Sequence, residues 1–255
     1  MATYKKRGHK PKSKSEEQQQ SIHESTTAEV FHTLDTSASR TEQWVARNQS
    51  YILGVIGIIS VAVLGFLGYQ RFIQEPREAN ADRELFYPMQ YFTRAQQDET
   101  QADSLYTLAL NGAEGKYGLL DIIDEYSGTQ AANLARYATG ISYLHLDRYQ
   151  EAISFLEDYK SDDAILGAIG LGSIGDAFME LGQTGEALNY YDRALAHDSN
   201  DFTTPLYLQK AGVASLSLGQ AEEAAAYFSR IKDEFPESLQ ATGIDAYIGM
   251  AQKGN

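Results

Sequence analysis

The run Gly170-Leu171-Gly172-Ser173-Ile174-Gly175 is the first place where residue types and spacing could do chemistry. In a nucleotide-binding domain, GxGxxG follows a strand and lifts a helix N-terminus toward a pyrophosphate. Here no strand pattern precedes it and the chain has no alternating strand and helix units, so the glycines read as helix-packing positions. Three of the five histidines fall in the first fifty residues, and His145 and His197 are too far apart to form a ligand spacing. The carboxylate pairs Asp162-Asp163 and Glu222-Glu223 stand where helices should begin, where negative charge complements the helix dipole. With no cysteine, disulfides, thiol catalysis and Cys-containing zinc sites are excluded. GxSxG, HExxH and Walker loops are also missing. No catalytic residue, metal or cofactor is expected, and the chain reads as a binding protein.

One element dominates the placement of everything else. Tyr51 to Tyr69 runs for nineteen residues without a charge, interrupted only by Ser60 among apolar residues and glycines. As a helix it would extend roughly 28 Å, close to the ~30 Å hydrocarbon core of a bilayer. Residues 51–70 are therefore read as a transmembrane helix, with Trp44 and Tyr51 at one interface and Tyr69 and Phe72 at the other. Gly54, Gly57, Gly65 and Gly68 form no GxxxG spacing, so no partner helix is marked.

Residues 1–50 open with Lys5, Lys6, Arg7, Lys10, Lys12 and Lys14, then turn to Glu, Gln, Ser and Thr. With so little aliphatic content this tail is expected to be disordered. Its basic run suits either contact with anionic lipid or ribosomal RNA, or a topology determinant, which we favour; a basic tail points to the cytoplasmic side. The lead is too long for an ordinary signal peptide and offers no small-residue cleavage site, so an uncleaved signal anchor is expected. Beyond residue 70 the balance reverses, with thirteen Lys/Arg against twenty-nine Asp/Glu. Such an acidic domain argues against nucleic acid as its partner.

Residues 71–98 read as an amphipathic juxtamembrane helix after Pro76, rich in aromatic side chains and carrying Pro88. Tyr51, Tyr69, Phe72, Phe86, Tyr91 and Phe92 are the candidate membrane or partner-docking residues. Packing of this helix onto the first repeat is the simpler alternative.

From about residue 99 the chain repeats. Gly140 with Ala152, Gly175 with Ala187, and Gly212 with Ala224 each keep a spacing of twelve; Leu156, Tyr191 and Phe228 fill the slot four residues later. This is the tetratricopeptide pattern, in which small residues let two antiparallel helices approach and the large residue fills the gap against the next pair. We expect an all-α fold: a single N-terminal transmembrane helix followed by a right-handed tetratricopeptide-repeat superhelix over 99–253. It would comprise a degenerate unit at 99–130 (Tyr106, Gly118, Ile122), repeats at about 133–164, 168–199 and 205–236, and a capping helix at 237–253 formed by Leu239, Ile244, Tyr247, Ile248 and Ala251.

The whole layout, with Tyr117-Gly118-Leu119-Leu120-Asp121-Ile122-Ile123-Asp124-Glu125-Tyr126-Ser127-Gly128-Thr129 and Ala131-Ala132-Asn133-Leu134-Ala135 behind a single span, resembles the YfgM-type proteins of bacterial inner membranes. The resemblance covers roughly 50–253. It implies an ancillary component of the Sec translocon, exposed to the periplasm and associated with a membrane-anchored peptidyl-prolyl isomerase, that helps recruit chaperones or handle secreted polypeptide. An anchored repeat scaffold for envelope assembly or signalling is the alternative.

Repeat proteins present the first helix of each pair to a concave groove. Counting positions two, five, nine and twelve from Asn133, Ala168 and Pro205 nominates Tyr137, Ile141, Leu144, Ile169, Asp176, Met179, Gln209 and Val213 as the partner-binding groove. Gly172, Leu134, Leu206 and Leu216 fall on the same count. None of these positions is Lys or Arg, so the groove should suit an apolar segment rather than an acidic peptide terminus.

Overall fold

The computed structural model describes residues 43–253. The basic run and the lipid or RNA contact expected of it lie outside the described residues. The chain divides into two compact units after Gln70. In the first, helix α1 (43–69) carries the uncharged stretch. The helix beginning at Gln43 is long and apolar enough to cross a membrane, and its apolar window is wholly exposed. Nothing lies within 4 Å of a Cβ placed on Gly54, Gly57, Gly65 or Gly68.

The second unit begins within a π-helical turn, Gln70–Gln74, and is otherwise built from helices: α2 (Glu75–Ala95), α3 (Ala102–Asn111), α4 (Leu119–Glu125), α5 (Gln130–His145), α6 (Tyr149–Asp158), α7 (Ala164–Glu180), α8 (Thr184–His197), α9 (Thr203–Ser217), α10 (Ala221–Glu234) and α11 (Ile244–Lys253). No strand occurs among the described residues. Each later helix packs on its neighbours in sequence, α5 on α6, α7 on α8 and α9 on α10. Local chemistry sets the starts: Thr129 accepts from Ala132 N at 3.1 Å to open α5, and Asp163 accepts from Ile165 and Leu166 N at 2.9 and 2.8 Å to open α7.

The spacing of twelve has a direct steric meaning. A Cβ on Gly140 would lie 2.8 Å from Leu156 Cδ2 and 3.2 Å from the Ala152 carbonyl; one on Gly175 would lie 2.6 Å from Tyr191 and 3.2 Å from the Ala187 carbonyl. One on Gly212 would lie 2.7 Å from Phe228 Cζ. The large residue thus closes over the glycine of its own pair, not over the next pair as expected from sequence.

What joins successive pairs is a second set of contacts, concentrated on α7. Gly172 lies under the ring of Tyr207 from α9, Gly170 under Tyr159 from the α6–α7 connection, and Gly167 under His197 at the end of α8. With Tyr191 over Gly175, the four glycines of one helix each receive a different ring. This is what the GxGxxG run does here.

The aromatic helix is a structural member of the second unit. Phe92 is buried at 4 % exposure, with its ring 6.1 Å from that of Tyr106, and Tyr91 packs half-buried on the same core. Glu78 accepts from the backbone N–H of Gln130 and Ala131 at 2.7 and 3.2 Å, and Arg77 donates to the Glu125 carbonyl at 2.9 Å. Helix α2 therefore ties the end of α4 to the start of α5. Docking through Phe92 is corrected accordingly: an aromatic residue on every turn of a helix does not reveal which face finds a neighbour. The unit expected at 99–130 is likewise no closed pair, because α3 lies against α2 and α5 as well as α4. At the other end, Leu239 sits in a short 3-10 turn at 82 % exposure; the closing helix begins only at Ile244.

Candidate partner-binding groove

Helices α5, α7 and α9 line one side of the repeats, and between their C-terminal halves lies an open groove of about 750 Å³. Its walls bring together five of the eight residues nominated from sequence: Leu144, Asp176, Met179, Gln209 and Val213. Tyr137, Ile141 and Ile169 do not line it. Ile141 is buried at 7 % exposure in the core, and Tyr137 packs half-buried with its ring 5.2 Å from Tyr159. Position nine faces the groove on α7 and α9 (Asp176, Val213) but turns into the core on α5, where α2 and α3 pack from the other side. Gly172 is covered by Tyr207 and offers the groove nothing.

The remaining lining was not nominated: His145, Asp147, Tyr149, Glu180, Tyr191, Lys210 and Tyr247. His145 and Glu180 end first helices, and Asp147 and Tyr149 form the turn into α6. Asp147 adopts a positive φ of 58° in the Leu146-Asp147-Arg148 turn, a conformation Asp and Asn tolerate best among side-chain-bearing residues. Its carboxylate accepts from the Tyr149 hydroxyl at 2.8 Å. That hydrogen bond, followed by burial and the charges of Asp147 and Glu180, holds the Tyr149 hydroxyl above its usual range.

At the groove's centre Lys210 Nζ donates to both carboxylate oxygens of Asp176, at 2.6 and 2.7 Å, and lies 5.9 Å from the centre of the Tyr207 ring. Tyr191 donates its hydroxyl to Asp176 Oδ1 at 2.9 Å. The ring closing over Gly175 thus reaches the groove with its polar end. Burial, then the neighbouring carboxylate, pushes the Tyr191 and Tyr207 hydroxyls far above the normal tyrosine range, so both stay neutral. A groove free of Lys and Arg is a second correction. Lys210 sits one position after the face residue Gln209, and its long side chain swings back to Asp176. Its charge is already answered, leaving Asp147 and Glu180 as an acidic rim beside apolar Leu144, Met179 and Val213.

His145 adds a titratable wall. One face of its ring stacks on buried Tyr106 at 4.8 Å and 9°, while the rest of the residue is exposed to the groove. Desolvation on the stacked face lowers its pKa. The folded state then binds fewer protons than the unfolded one as pH falls below the usual histidine value of about 6.5, and stability declines there. The expected result is a thermal midpoint that drops between about pH 7 and pH 5 in the native protein and drops less in His145→Gln; equal slopes would count against the stacked, desolvated ring.

Of the docking residues, Tyr51, Tyr69, Phe72 and Phe86 are exposed. Phe86 joins Leu85, Met89, Gln90 and Thr93 along a shallow apolar depression on α2, with Asp82 and Arg94 at its ends.

Residues 173–238, from the middle of α7 through α10, match the family model for tetratricopeptide repeats. Among solved structures, the chain is similar to a variant of a Podosopora anserina protein described as a kinesin light chain with nearly identical TPR-like repeats, at 14 % identity and a TM-score of 0.49. That likeness covers 70 % of this chain and 87 % of the other. No curated protein matches. Among the described residues the fold is all-helical and repeat-built, and over residues 173–238 it carries the tetratricopeptide signature.

Proposed function

We propose that the protein is a membrane-anchored scaffold whose repeat groove holds a segment of a partner polypeptide, and that it acts by binding rather than by catalysis. The observation carrying this reading is the groove itself: an open concavity with three apolar side chains and an acidic rim, in which the central ion pair, Asp176–Lys210, satisfies itself instead of standing poised for proton transfer. The long apolar helix supports attachment to a membrane. Anchoring holds the groove at high local concentration relative to anything else in that membrane, so weak contacts suffice.

More specifically, we read the chain as a single-pass protein of a bacterial inner membrane, N-terminus cytoplasmic and repeats periplasmic. There it serves as an accessory factor of the Sec translocon beside a membrane-anchored peptidyl-prolyl isomerase, receiving chaperones or secreted chains. The support is the basic excess of residues 1–14 and the resemblance of the whole layout to YfgM-type proteins. Photo-crosslinking in intact cells from Val213 in the groove and Phe86 on α2 tests it, with identification of the captured protein. Capture of a translocon component, an isomerase or an exported chain is the expected result. Capture confined to envelope-assembly or signalling proteins would overturn the secretion reading and leave the anchored scaffold.

A further inference from the structure

Once the groove is taken as the partner site, a step that rests on the function proposed above, its charges decide what kind of segment fits. Three carboxylates line the groove, those of Asp147, Asp176 and Glu180, against one ammonium group, that of Lys210. Lys210 neutralises Asp176 through both oxygens, so the surplus of two negative charges is on the rim, at Asp147 and Glu180. Both rim residues are exposed to solvent, Asp147 accepts from the Tyr149 hydroxyl at 2.8 Å, and Glu180 and Tyr149 line the same groove. Beside them in the groove's lining are apolar Leu144, Met179 and Val213, and Lys210 is the lining's one lysine or arginine.

Lys210 also shows how this surface receives an ammonium group: two carboxylate oxygens in front and the flank of a tyrosine ring beside it. The rim holds the same kinds of group, the carboxylates of Asp147 and Glu180 and the ring of Tyr149, but no lysine or arginine. A volume of about 750 Å³ accommodates a few side chains of a passing segment, not a folded element. We propose that the groove's partner is a polypeptide segment that carries a lysine or arginine next to apolar residues, the cation entering between Asp147 and Glu180 and the apolar side chains resting on Leu144, Met179 and Val213. An acidic segment is rejected by the same rim, since like charges brought together here have no counter-ion.

Three fluorescent peptides of about fifteen residues test the proposal with the full chain in detergent micelles. All carry leucine at every third or fourth position and differ only in having Lys, Gln or Glu between. The Lys peptide should bind at least about tenfold more tightly than the Glu peptide, with the Gln peptide between them and the preference shrinking as salt rises. The double variant Asp147→Asn with Glu180→Gln should lose about fivefold affinity for the Lys peptide and erase the Lys-over-Glu preference. Asparagine suits the positive φ at position 147, so the turn is kept. Removing two carboxylates that do not line the groove, with Glu222→Gln and Glu223→Gln, should change neither, which separates the rim from the general acidity of the chain.

If all three peptides bind equally and the rim variant binds like the native protein, the charge assignment is overturned and the groove reading stands on its apolar wall. If the Lys preference survives the rim variant but falls with Glu222→Gln and Glu223→Gln, the proposal fails in favour of diffuse attraction. If no peptide binds and crosslinking from Val213 captures nothing, both the proposal and the groove reading fall.

Discussion

Replacing Gly172 with alanine is expected to destabilise the repeats by about 3 kcal/mol, at the upper end of what overpacking usually costs. The sign is opposite to that of local propensity, since alanine favours a helix over glycine by about 1 kcal/mol. The added methyl would occupy the volume of the Tyr207 ring, and Tyr207 is itself 2 % exposed between α7 and α9. Relief requires either Tyr207 to leave its site or the two helices to part. The control is Gly249→Ala in α11, where nothing lies within 4 Å of the new Cβ and propensity should win by about 1 kcal/mol. Urea midpoints followed by circular dichroism, with the slope checked for constancy, give both values. A Gly172→Ala protein as stable as the native one would show that Tyr207 does not close over this position. A double variant with Tyr207→Ala should then be less destabilised than the two single effects added, because each removes the other's clash or contact.

The second large effect concerns the groove. Met179→Lys together with Val213→Lys should weaken partner capture by ~100-fold or more, equivalent to about 2.7 kcal/mol, while leaving the fold intact. Both positions line the groove and are partly exposed, so their ammonium groups reach water in the free protein. They become costly only when a ligand covers the apolar wall and desolvates them. The substitution Ile141→Lys makes a different point: at 7 % exposure within the core, it should unfold the repeats before it informs on binding. Crosslinking yield from Phe86 should persist in the groove variant if α2 docks independently, and binding of the Lys peptide at native strength would remove Met179 and Val213 from the contact surface.

The repeat pairs were readable because packing two helices closely requires small residues at one height on both, and the chain states that height three times, at Gly140, Gly175 and Gly212. The groove was half readable. Position counting found Leu144, Asp176, Met179, Gln209 and Val213, all on the first helices α5, α7 and α9. It failed for Ile141 because α5 is backed by α2 and α3, which obey no repeat spacing. Lys210 escaped because its Cα belongs to the neighbouring face and only its flexible side chain enters. Asp147 and Tyr149 escaped because they belong to the turn after α5 and the start of α6, where the first-helix count does not run, and Glu180 because it lies one position past the counted Met179. Phe92 was misplaced for the reason that makes it useful: an aromatic ring serves equally well in a core and at an interface, and its partner, Tyr106, lies on a separate helix.

The four covered glycines of α7 bear on how the molecule assembles in time. Each glycine subtracts about 1 kcal/mol from the helix's intrinsic stability, so an excised peptide of Ala164–Glu180 should be a coil in water. The helix becomes worth forming only when rings from both flanking repeats have arrived, Tyr159 from the preceding one and Tyr207 from the following one. An array of self-sufficient repeats can nucleate anywhere and fray from its ends; one whose middle spar depends on both sides cannot. The amides of α7 should therefore exchange with deuterium only when the flanking helices α6 and α9 also open. Half-folded arrays, with the first repeat formed and the last still open, should be too scarce to meet a protease or another chain.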